Sequence, residues 1–279
     1  NNTGFGNEVF DDLTSGDNNT GMGAGALDKV TTGSGNTAIG PDALGAATTH
    51  SNNTAVGLDT LKANIASDNT AIGSGALTAN TTGTNNTAVG FAALDANTTA
   101  NNNTAVGDGA LGANTTGAGN TAMGPDSLAA NTTASNNTAI GLDTLKANTT
   151  GGTNTAVGVS ALTANTTGSF NATLGYNTLA VNTTGDANVA IGYAALAANT
   201  TANNNVAIGN GSMGANTTGT FNVGVGQGSL AANTTASNNT AIGTSALTAN
   251  TTGDYNTAIG QLSLTTNTTG RFNVASGVD

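Results

Sequence analysis

The pentapeptide Asn-Thr-Ala-Val/Ile-Gly returns along this chain at a step of 17 residues, and that step limits the fold more than any other property of the sequence. Counting its Asn as the first position, the motif starts at Asn36, Asn53, Asn69, Asn86, Asn103, Asn120, Asn137 and Asn154 and keeps its step to Asn273. One unit, Asn53 to Asp68, is a residue short, because it reads "ANIASD" where the others read "ANTTG" and two more residues. Carried back to Asn2 and forward to Phe272, the count gives sixteen consecutive units with consensus N-T-A-V/I-G-x-x-A/S-L-x-A-N-T-T-G-x-x. Fixed self-similarity of this kind is the signature of stacked repeats, each unable to bury its apolar side alone.

Seventeen residues with Gly after the fourth position and again near the end cannot hold two ordinary helices, whereas short strands joined by turns fit. Identical coils stacked in parallel place every residue about 4.8 Å from its counterpart, so each position becomes a column of like side chains. The sequence therefore predicts an all-β chain, a parallel β-solenoid or β-roll of about sixteen 17-residue coils. Residues 1–35 are degenerate coils that read as a cap or transition, 36–272 form the regular solenoid, and 273–279 are a partial terminal coil. The chain begins without Met and carries no visible signal peptide, which reads as a processed chain or an excerpt.

Two columns stay apolar and are predicted as the core. The fourth carries Ile39, Val56, Ile72, Val89, Val106 and Ile140; the ninth carries Leu44, Leu61, Leu77, Leu94, Leu111 and Leu145. The second column is usually Thr, replaced by Val at 189, 206, 223 and 274, and is expected to face inward with the fourth. Strand alternation then turns the third column outward, where only Ala, Gly and Thr173 occur and small size suggests a closely packed surface. The twelfth column starts with Leu13, Val30 and Ala47 and becomes Asn at Asn80, Asn97, Asn114, Asn131, Asn148 and Asn165. Those amides are expected to form an internal ladder, bonded from coil to coil.

Charge narrows the functional classes. Only Lys29, Lys62, Lys146 and Arg271 are basic, against a net charge of -11, so the basic stripe that phosphate binding needs is missing and no nucleic-acid partner is expected. No apolar run approaches the roughly 20 residues that span a bilayer, so no membrane insertion is expected. Without Cys there are neither disulfides nor thiolate metal sites. His50 is the sole histidine and has no positioned partner in its loop, so no catalytic site and no enzyme are expected. Asp42 with Asp59, and Asp126 with Asp143, share a column in consecutive coils; such pairs repel or share a cation. Ca²⁺ is the one cofactor they admit, against the simpler reading that Lys62 and Lys146, three residues after Asp59 and Asp143, offset the charge. Asn-x-Thr sequons recur in nearly every unit and would permit glycosylation in a secretory system, against the simpler reading that a repeat needing Asn and Thr ladders generates them as a by-product.

The units "NTAVGxxALxANTTGxxN" resemble Asn-Thr-Ala-Val/Ile-Gly repeats of fibrous surface proteins, notably phage tail fibres, and are similar to the "AIG" head repeats of trimeric autotransporter adhesins. The resemblance implies parallel β-roll coils, self-association as a homotrimer or an end-to-end filament, and a place outside the cell, on its surface or on a virion. Adhesin head units are shorter than seventeen residues, a departure that bears on coil shape. The expected function is a structural rod or shaft segment of an extracellular fibre, filament, adhesin or phage appendage. The alternative is a β-solenoid that binds ice or another surface through its Thr and Asn ladders, with the fourteenth-position Thr on an exposed flank.

Overall fold

The computed structural model describes residues 1–278; Asp279, the last residue of the expected partial coil, lies outside them. The described residues form an all-β chain without helices, with 17 parallel three-residue strands stacked as a β-solenoid of about 16 turns. The chain divides into two compact units, Asn1–Asn137 and Thr138–Asp279.

The first unit holds the strands from Thr3–Phe5 to Thr121–Met123, and the second those from Thr138–Ile140 to Val274–Ser276. Within each unit, neighbouring strands pair in parallel and in register, as in Thr37↔Thr54, Ala38↔Ala55, Ile39↔Val56, or Val189↔Val206, Ala190↔Ala207, Ile191↔Ile208. The short coil does not disturb this register: Thr54 still faces Thr70, and the missing residue is absorbed after Asn64, where Ile65 N–H bonds the Thr81 carbonyl at 3.0 Å. The degenerate first coil joins the same ladder through Thr3↔Thr20.

Strands are short because their flanks leave the β region. β-branched Thr, Val and Ile at positions two and four favour extended backbone. Position five is Gly at φ of about +122° to +146°, a conformation closed to L side chains, and position 17 is left-handed. Position five opens a series of turns. In the coil from Asn36, Ala43 N–H bonds the Gly40 carbonyl, Gly45 that of Asp42, and Ala47 that of Leu44, all at 3.3 Å. The third residues of the first two turns, Asp42 and Leu44, have φ of 55° and 52°, as type II turns require. Pro41 and Pro125 sit at the second position of the first of these turns, which favours the fixed φ of proline.

The core is thin. Its apolar part consists of Leu in column nine and Ala in columns three and eight, and most of these residues are fully buried. Leu44, Leu61, Leu77, Leu94, Leu111 and Leu145 are all at 0% exposure. The fourth column corrects the sequence reading. Ile39, Ile72 and Ile140 are exposed, and Val56, Val89 and Val106 are half-buried, because the strands turn positions two and four outward and bury position three. The interior opposite the Leu column is narrow: a Cβ added at Gly224 in column three would lie 2.8 and 3.0 Å from the Ser212 and Ser229 Oγ atoms of column eight and 3.3 Å from the Met213 Cε of column nine.

Candidate functional site: the outer face of the strand ladder

Two Asn columns fix the coils from inside. Asn97 Nδ2 donates to Asn80 Oδ1 at 2.8 Å and to the Ala100 carbonyl at 3.2 Å. Asn86, in the first column, donates to that same carbonyl at 2.8 Å, and its Oδ1 accepts the N–H of Asn103 at 3.0 Å. One inward carbonyl at position 15 thus serves two amides, which pairs most of the interior amides as burial demands, although Asn239 Nδ2 of the first column is buried without a partner. The twelfth-column residues stand in this arrangement, fully buried: Asn80, Asn97, Asn114 and Asn131 in the first unit, Asn148 and Asn165 in the second. The first-column ladder escaped the sequence reading, although its invariant Asn was the signal. So did the buried Gly/Ala of column 15, whose small size leaves space for the amides.

The charged columns lie on the turns. Lys62 Nζ sits between Asp42 (3.0 Å) and Asp59 (2.8 Å), and these carboxylates raise its pKa, chiefly through the Asp59 bond. An ammonium therefore stands where a cation bridging Asp42 and Asp59 would sit. Lys146 lies 2.9 Å from Asp143 in the second unit, while Asp126 occupies the same column in the first, its N–H bonded to the Asp108 carbonyl. Among the described residues no group of three or more His, Asp or Glu side chains converges as a metal-ligand cluster. His50 takes the place of Gly or Ala in column 15; its carbonyl accepts Asn36 Nδ2 at 2.9 Å, and its Nδ1 is buried without a hydrogen-bond partner. The fourteenth-column Thr residues, such as Thr82, Thr116 and Thr218, are exposed.

The largest uniform feature is the outer face of the strands. In both units column two is Thr or Val, apart from Ala172, and column four is Ile, Val, Leu, Met or Phe up to Ser276 in the last strand. Not one charged residue enters either column in a chain of net charge -11. Exposure is substantial: 41% at Ile72, 43% at Met123, 52% at Leu174 and 41% at Ile242. An apolar ladder repeated over eight strands in each unit is more than the scattered apolar residues of an ordinary surface. It offers apolar area and Thr hydroxyls.

The chain matches no known protein-family profile and no curated protein.

Proposed function

We propose that this chain is a structural shaft segment of an extracellular fibre or appendage, and that copies associate as a homotrimer through the outer strand face. The observation that carries the reading is the fourth column, apolar along each unit, uncharged and turned to solvent in the single chain. Molecules that all carry a net negative charge associate best through a surface without charge. Each coil adds an increment of the same face, so contact area grows with length, as a shaft needs. The resemblance of the Asn-Thr-Ala-Val/Ile-Gly units to fibrous surface proteins supports the extracellular setting, and the role requires neither a catalytic group nor a cofactor.

Light scattering combined with small-angle X-ray scattering tests it. The wild type should have the mass of three chains. A variant with Ile208→Lys and Ile242→Lys should fall to one chain while keeping its β signal, because both side chains point outward and each new ammonium would be buried at the contact. A wild type that stays at one chain at every concentration would overturn the trimer. A second reading rests on the regularity of the same face. Positions two and four form a grid of about 4.8 Å between coils and about 6.6 Å along the strand, suited to an ordered water lattice. A monomer that slows ice growth in a thermal-hysteresis assay would favour it.

A further inference from the structure

The outer face has one interruption. In the strand Ala172–Leu174 the usual Thr-Ala order is reversed, so that Ala172 faces out and Thr173 faces in. The inward change is unfavourable for a single chain. Inside, Thr173 is 3% exposed and its hydroxyl has no hydrogen-bond partner, whereas Ala or Gly fills this column elsewhere. Outside, a shallow open hollow of about 220 Å³ lies over Ala172, lined by Thr155, Val157, Ala172, Thr173, Leu174 and Ile191. Thr155, half-buried in the equivalent place of most coils, becomes exposed beside it. The same strand carries the one Leu of its column in this unit and the most exposed aliphatic side chain there: Leu174, 52% exposed, between Val157 and Ile191 of the adjacent strands.

We propose that the hollow at Ala172 receives Leu174 of a second copy of this chain, so that this coil locks neighbouring copies together; the inference rests on the homotrimer reading above. Symmetry supplies the argument. Rotation about an axis parallel to the stacking direction keeps every residue at its own height, so a given coil meets only the same coil of its neighbours. Knob and hollow lie in one strand, two residues apart, which is where such a rotation brings them together. An antiparallel two-fold would carry each Leu174 to the hollow only if the axis crossed this one coil. The hollow has no charged lining residue, as an aliphatic knob requires. The inward Thr173 then belongs to an exchange that clears the outer face, with a loss inside the chain and a gain only in the assembly.

A double-mutant cycle on the full chain tests this. Ala172→Thr fills the hollow and Leu174→Val shortens the knob; each restores a residue type already found in its column, so folding is preserved. Ala172→Thr should raise the concentration at which the oligomer dissociates by about tenfold or more, as overpacking does. Leu174→Val should weaken it less, and the double variant should return close to wild type, since its outer face matches the adjacent coils. Subunit exchange followed by native mass spectrometry reads all four proteins. An oligomer in which Ala172→Thr has no effect, or in which the two effects simply add, would overturn the lock and leave the trimer standing. A wild type that is monomeric throughout would remove both.

Discussion

Leu is an unexpected residue for the ninth column, because every Leu there from Leu27 to Leu264 has φ between 51° and 56°. The left-handed region costs a residue with a Cβ roughly 1–2 kcal/mol. Full burial of a Leu side chain returns about 1.5–3 kcal/mol, so the balance favours Leu wherever the turn aims it into the core. Column seven shows the converse: there φ is also positive but the side chain is outside, and the residues are mostly Gly, Asp, Asn, Ser and Ala. Burial therefore decides the residue at one left-handed site and backbone tolerance decides it at the other. Leu111→Ala should lower stability by about 2–5 kcal/mol, the range for emptying a packed site. Val106→Ala, five residues earlier on the outer face, should cost the single chain under about 1 kcal/mol. Urea midpoints of the Lys-substituted monomer carrying each change measure the contrast; equal losses would place both columns in the core.

At the scale of one coil, the sequence made the period, the turns and two inner columns legible, but inverted the strand. Position four looked like core because it is apolar, yet its sizes run from Val106 to Phe5, more than a ladder inside a coil of fixed width accepts. Position three, restricted to Ala and Gly apart from Thr173, was the better sign of crowding from within. A three-residue strand offers a single alternation, too short for hydrophobic pattern alone to say which parity faces in. The same inversion hides the outer face, since an apolar column reads as interior whichever way its strand turns. Turn chemistry carries a sharper prediction. Gly90, at φ 142°, faces Gly107 of the next coil so closely that an added Cβ would lie 2.3 Å from its carbonyl oxygen. Gly90→Ala should cost at least about 2 kcal/mol through strain and collision together. Gly211→Asn, at φ 63° with open space around the site and Asn177 already in its column, should change stability by less than about 0.5 kcal/mol. Thermal midpoints of the two variants separate a backbone that demands Gly from one that merely permits it.

Over the whole molecule, stability is carried by nearest neighbours. The backbone, Asn and Thr bonds between coils run to the adjacent coil, as from Thr81 Oγ1 to the Thr98 carbonyl at 2.9 Å, and those within a coil only close its own turns. A chain held in this way has no central element on which the rest depends, and coils are interchangeable as far as their columns agree. Excision of Asn86–Asn102 removes one complete coil and brings Asn103 to the place of Asn86, where its N–H meets Asn69 Oδ1, the acceptor that Asn86 uses at 3.0 Å. The shortened protein should keep its β signal per residue and melt in a cooperative transition, with a midpoint lower by about 2–4 °C for each kcal/mol lost. Excision of Asn86–Ala93 removes half a coil and leaves Leu94 directly after Asn85. The nine remaining residues cannot close a turn of the solenoid, so the ninth-column Leu and both Asn columns lose their partners at that level. Circular dichroism and melting should show the first unit damaged far beyond its eight missing residues. Equal tolerance of the two deletions would mean that the 17-residue step does not set the register, and the repeat would then be a feature of the sequence without being the unit of the fold.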